Sequence, residues 1–87
     1  MRVDVIKDEV YAVLQRQPGV YLSAYDVAVH LQQSYPDVAE DITTHYSNSS
    51  HTLASFVANA LKTFARRDPH RINQIGKVSN GKWAWVG

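Results

Sequence analysis

Apolar residues at Val3, Ile6, Val10, Val13 and Leu14 recur every three to four positions, the period of one helical face. This predicts a first helix over about residues 4–17, with Asp4 as its cap, Asp8 and Glu9 near the positive end of its dipole, and Pro18-Gly19 ending it. Val20-Tyr21-Leu22 is too short an apolar run for a helix and suits a brief strand, provided a partner strand arrives later. Ser23 and Asp26 have the spacing of a capping box. They open a second helix, 24–35, whose inner face is Ala24, Val27, Ala28, Leu31 and Tyr35, and Pro36 stops it. Asp37 and Glu40 offer a second box before Val38, Ile42 and Tyr46, so a short helix is expected at 38–46. Asn48-Ser49-Ser50 then reads as loop and cap. Leu53, Phe56, Val57, Ala60, Leu61 and Phe64 mark a long amphipathic helix over 51–67, the clearest in the chain.

Asp68-Pro69 breaks that helix, and beyond it the period changes from 3.6 to 2, which predicts a hairpin over about 71–86. Asn80-Gly81 is the preferred pair for a two-residue type I′ turn. That turn sets Ser79 opposite Lys82, Val78 opposite Trp83, Lys77 opposite Ala84, Gly76 opposite Trp85 and Ile75 opposite Val86. Ile72, Val78, Trp83 and Trp85 then share the core face, with Trp85 over the bare backbone of Gly76. Two tryptophans on one face could instead be base-stacking platforms, but a thin sheet needs them as core. No internal repeat or low-complexity tract interrupts these elements, so an α+β class and a single domain over 1–87 are expected.

Eighty-seven residues bury only roughly 60 to 65% of the unfolded surface, so the core is expected to be thin. The absence of cysteine excludes a disulfide framework, a thiolate zinc site and a cysteine nucleophile. No apolar run approaches a membrane span, and Met1-Arg2-Val3-Asp4 lacks the order of a signal peptide. A cytoplasmic setting without membrane partners is therefore expected, and the sequon at Asn48-Ser49-Ser50 adds nothing to that.

The net charge is only +1, but it is unevenly placed. Residues 1–61 hold Arg2, Lys7 and Arg16 against Asp4, Asp8, Glu9, Asp26, Asp37, Glu40 and Asp41, whereas residues 62–87 hold Lys62, Arg66, Arg67, Arg71, Lys77 and Lys82 against Asp68 alone. A basic C-terminal third is a candidate electrostatic footprint for nucleic acid.

The order helix, short strand, helix, helix, hairpin, with one long amphipathic helix directly before an Asn-Gly hairpin, resembles the winged helix-turn-helix superfamily across almost the whole chain, through element order and not through a specific motif. It implies three to four helices, a short strand and a C-terminal hairpin wing. A compact helix-turn-helix joins its helices by a turn of about three or four residues. Here the stretch Pro36 to Ser50 intervenes and carries the extra helix.

The resemblance implies double-stranded DNA as partner, a role in transcription regulation, and helix 51–67 as the recognition helix. At roughly 100° per residue its outward face carries His51, Ser55, Ala58, Asn59, Lys62 and Arg66. Asn suits adenine, Arg guanine, Ser either, Lys phosphate or guanine, and Ala58 can meet a thymine methyl. Arg66, Arg67, His70, Arg71, Lys77 and Lys82 gather around the helix end and wing, where they suit phosphates. Arg66 and Arg67 also complement the negative end of the helix dipole.

An alternative stays open, a winged-helix module for protein contacts in a larger assembly without DNA binding. A homodimer is a further expectation, through Tyr11 on the first helix or through Val38, Ile42 and Tyr46. Catalysis is not expected, because no Gly-x-Ser-x-Gly elbow and no Gly-rich phosphate loop occurs. His45 and His51 with Glu40 and Asp41 lack the spacing of a helix metal site, so neither metal nor other cofactor is expected.

Overall fold

In the computed structural model, which describes residues 1–48, 50, 52–77 and 80–87, the chain opens on a 3₁₀ turn, Val3–Ile6, that runs straight into α1, Lys7–Gln15. Asp4 is not the cap. It sits inside the turn, past the position from which a side chain reaches the first unpaired N–H groups. Its carboxylate instead accepts from Arg67 Nη1 at 2.8 Å and Arg2 Nη2 at 3.4 Å.

β1, Leu22–Ser23, finds its partner across the chain in β3, Lys82–Trp85, with Leu22 opposite Trp83. Ser23 also caps α2, Ala24–Ser34. Its hydroxyl accepts from the Asp26 N–H at 3.0 Å, while its own N–H donates to Asp26 Oδ2 at 3.2 Å, the reciprocal box that the spacing predicts.

α3 is Pro36–His45, so it starts earlier than the spacing suggests and the box on Asp37 and Glu40 does not form. Proline both ends α2 and begins α3, because its fixed φ and missing N–H suit a first helical position. That moves Asp37 into the first turn, where its charge meets the positive end of the dipole.

α4, Leu53–Arg67, is capped by Thr52 and not by Asn48-Ser49-Ser50. Thr52 Oγ1 accepts from the Ser55 N–H, and the Thr52 N–H donates to Ser55 Oγ, both at 3.1 Å. The predicted start at His51 lies outside the described residues.

β2, Ile72–Ile75, pairs antiparallel with β3, giving a three-stranded sheet in the order β1-β3-β2. Its register differs from the predicted one by four residues: Ile72 faces Trp85, Asn73 Ala84, Gln74 Trp83, and Ile75 Lys82. Neither Asn80 nor Gly81 has positive φ, so the type I′ turn is absent. The left-handed residue is Gly76, at φ 77°, followed by a turn in which the Asn80 N–H donates to the Lys77 carbonyl at 3.0 Å.

The reason for the longer loop is the buried indole of Trp83. Opposite Val78 its N–H would have no acceptor; opposite Gln74 it donates to Oε1 at 3.0 Å. Gly81 is needed beneath the same ring, since a Cβ there would lie 3.1 Å from it. Because the shift is even, every side chain keeps its face, and Ile72, Trp83 and Trp85 still point to the core. Val78 and Ser79 lie outside the described residues. Trp85 does not cover Gly76; it meets Tyr11 edge-on at 5.5 Å.

One buried cluster draws on the 3₁₀ turn, all four helices and all three strands, and its members are apolar. Ile6 of the turn, Val10 and Leu14 of α1, Val27 and Leu31 of α2, and Val57, Leu61 and Phe64 of α4 are its almost fully buried members on the helical side. The class is α+β, with four α-helices and a small antiparallel sheet among the described residues. Among the described residues no helix is long and apolar enough to cross a membrane.

Tyr11, a candidate dimer contact by sequence, is half-buried inside the monomer, edge-on to Phe64 at 5.7 Å, and its hydroxyl donates to Asp68 Oδ2 at 3.2 Å. Ile42 is fully buried and Tyr46 packs on Phe56, so the second candidate surface is also largely spent internally.

Burial, then the Asp68 charge and hydrogen bond, raise the Tyr11 ionisation above the ordinary tyrosine range. The folded state thus holds this proton more tightly than the unfolded chain. That contribution is complete below pH of about 10 and is lost as pH rises through the folded-state value. Urea melts of Tyr11→Phe are expected to lose this part of the alkaline destabilisation; an unchanged profile between about pH 9 and 12 would show the hydroxyl to be uncoupled.

Candidate nucleic-acid interface

The outward side of α4 follows from its apolar stripe. With Leu53, Phe56, Val57, Ala60, Leu61 and Phe64 turned inward, Asn59, Lys62 and Arg66 are exposed and Ser55 and Ala58 half-buried. Ser55, Asn59, Lys62 and Arg66 fall within about 60° of arc and span roughly 16 Å. Asn59 and Lys62 therefore stand at the middle of a straight polar stripe. The Asn59 backbone carbonyl accepts from Thr63 Oγ1 at 2.8 Å, and the Asn59 side-chain amide has no partner among the described residues.

Ser55 has another task than the one its position suggests. Its hydroxyl accepts from the Thr52 N–H and donates to the Thr52 carbonyl, each at 3.1 Å, so it helps fix where α4 begins. His51 lies outside the described residues.

The hairpin closes one side of the stripe. A groove of about 520 Å³ runs between the start of α2, the first half of α4 and the loop, with Tyr25, Ser55, Ala58, Asn80 and Lys82 on its walls. Next to it a hollow of about 330 Å³ places Lys62 and Arg66 across from Asn73 and Gln74 of β2. Both tryptophans belong to the packed interior, Trp83 wholly and Trp85 in part, and so are not stacking platforms.

The basic residues divide into two groups. Lys62, Arg66, Lys77 and Lys82 are exposed and in no ion pair among the described residues. Arg67 points off the stripe, about 120° from Ser55, and is tied to Asp4 at 2.8 Å. Arg71 lies at the base of β2, away from the loop, with Nε 3.8 Å from Asp68 Oδ2. Its side chain also packs against Gly87, where an added Cβ would meet Arg71 Cγ at 2.8 Å. His70 is exposed beside it.

α3 leans on α2 and touches only the beginning of α4, leaving Asn59, Lys62 and Arg66 uncovered. Asp37, Glu40 and Asp41 are exposed on α3, which carries no Lys or Arg, whereas α4 exposes Lys62 and Arg66. His45 shares α3 with them and stacks edge-on to Tyr46 at 4.7 Å.

Sequence reasoning missed Asn73, Gln74 and Asn80 as members of this surface, because the hairpin register hid which of them neighbour α4. It also passed over Tyr25, 69% exposed at the rim, whose signal was an aromatic lying off the apolar face of α2.

Comparison with protein-family models, curated proteins and solved structures finds no match to this chain.

Proposed function

We propose that this chain is a winged helix-turn-helix DNA-binding protein, a small transcriptional regulator, in which α4 reads a groove of duplex DNA and the β2–β3 loop acts as the wing. The observation that carries the reading is the exposed stripe Asn59, Lys62 and Arg66, bordered along its length by Lys82, Asn80, Asn73 and Gln74 of the hairpin. The element order and the sheet order β1-β3-β2 support it.

The roles follow from side-chain chemistry. The Asn59 amide can donate to and accept from adenine together, and Arg66 can donate twice to guanine. Lys62 reaches phosphate or guanine, and Ala58 leaves room for a thymine methyl. Lys77 and Lys82 on the wing neutralise phosphates, a contribution blind to sequence. Arg67 and Arg71, already set against Asp4 and Asp68, serve the base of the wing more than the DNA.

Asn59→Ala tests base readout. It is expected to weaken binding to the preferred site by about 1 to 3 kcal/mol and to leave random duplex nearly unaffected. Sites selected from a random-duplex pool, followed by titration of parent and variant on target and random DNA, give both numbers. Failure of the parent to bind any duplex at about 50 mM salt would remove the whole reading.

A further inference from the structure

α2 and α3 enclose a second groove, which meets the α4–hairpin groove at Tyr25, Thr52 and Ala54 and runs from there along α3. Tyr25, Ala28, Val29 and Gln32 line it from α2, one helical face at three- and four-residue spacing. Pro36, Ala39, Glu40 and Thr43 continue it along α3, and Tyr46 ends it beside Leu53 and Ala54 of α4. The two hollows, about 590 and 310 Å³, share Gln32 and Thr43 and so form one trough. From Pro36 to Tyr46 it is roughly 15 Å long, nearly three helical turns. Its floor of Ala28, Val29, Ala39 and Ala54 is apolar and shallow, as a helix-in-groove contact requires.

Charge selects the occupant. No Lys or Arg occurs from Gln17 through Leu61, whereas Asp26, Asp37, Glu40 and Asp41 all fall in that stretch. Glu40 is the one of these that lines the trough, and Arg16, at the α2/α3 corner, is engaged with Ser34 Oγ at 2.7 Å and the Tyr35 ring. Such a rim repels phosphates and attracts cationic flanks. The chain's own basic helix does not match the trough, because the exposed stripe of α4 is polar and brings no apolar side chains to the floor.

We propose that the α2/α3 groove docks an amphipathic helix of a partner protein, apolar along one stripe and flanked by Lys or Arg. The proposal does not rest on the DNA-binding reading although the two grooves adjoin at Tyr25, and its test contains no DNA, so either can fail alone.

The probe is a displayed library of helical peptides of about 18 residues, roughly five turns. Apolar residues are held at i, i+3, i+4 and i+7, and the flanks are free to be Lys, Arg, Asp, Glu, Gln or Ser. The full chain is expected to enrich Lys- and Arg-flanked members, whose amide shift changes map to Ala28, Val29, Gln32, Ala39 and Thr43. Glu40→Lys is expected to weaken the enriched peptide by about tenfold, whereas Asp8→Lys, the same charge change on α1, leaves it bound. Thr43→Arg fills the trough and blocks binding. Gln32→Arg serves if a thermal melt shows the first variant unfolded. No enrichment, acidic or neutral flanks, shift changes confined to Asn59, Lys62, Arg66 or the wing, or equal effects of Glu40→Lys and Asp8→Lys would each overturn the proposal. So would a dimer in light scattering that the peptide leaves intact while Thr43→Arg dissolves it, which would make a second copy the occupant.

Discussion

Trp83→Ala is expected to lower the free energy of unfolding by about 3 to 5 kcal/mol. A domain of this size holds only roughly 0.05 to 0.15 kcal/mol per residue, so the loss can consume most of its stability. Three features add up at this side chain. It is the largest fully buried group among the described residues, it sits on the central strand between Leu22 and Gln74, and its ring fills the space over Gly81. Truncation leaves a cavity and also strips Gln74 Oε1 of its donor. Trp83→Phe separates these terms, keeping most of the volume while losing the hydrogen bond, and is expected to cost less than half as much. Urea unfolding followed by far-UV circular dichroism checks both, since removing an indole would confuse fluorescence. A midpoint for Trp83→Ala equal to that of the parent would mean that β3 does not hold the sheet on the helices.

The same residue explains which parts of the fold were legible beforehand. Helix positions follow from periodicity, because Phe56, Val57, Leu61 and Phe64 can be buried together in only one way on a helix of that length. The Ser23–Asp26 box was readable because both partners lie within three residues. Asp4, Asp37 and the hairpin turn were misread for one common reason, that a distant group or a neighbouring proline changed the local outcome. Arg67 captured Asp4, Pro36 moved the start of α3, and the need of the Trp83 N–H for Gln74 outweighed the turn preference of Asn80-Gly81. Capping by Thr52 with Ser55 was harder still, because a serine at the third helical position replaces the Glu or Gln that usually signals a box. In the candidate site, helical phase sufficed to bring Asn59, Lys62 and Arg66 to one face. Sorting the cations needed the partners Asp4 and Asp68, which lie 63 and 3 residues from the arginines they hold.

That sorting leads to the second large effect. Under the DNA-binding proposal, the double variant Lys62→Ala/Arg66→Ala is expected to lose about hundredfold in affinity for random duplex near 50 mM salt. Each phosphate contact is worth roughly a decade there, and the salt slope should flatten by about two units. The pair Arg67→Ala/Arg71→Ala removes the same charge from the same end of the chain. If proximity to DNA were only a matter of net charge, the two variants would behave alike. The geometry argues otherwise: Lys62 and Arg66 stand on the exposed stripe, while Arg67 is held by Asp4 at 2.8 Å and Arg71 lies by Asp68 at the base of β2. Arg67→Ala/Arg71→Ala should therefore keep nearly the parent salt slope. Exposed ion pairs of this kind are worth at most about 1 kcal/mol each, so its stability should fall only slightly. Titrations of labelled duplex at several salt concentrations distinguish the two cases. Equal slopes for both variants would mean that the chain attracts DNA by its basic third as a whole, and α4 would lose its place as the element that orients the complex.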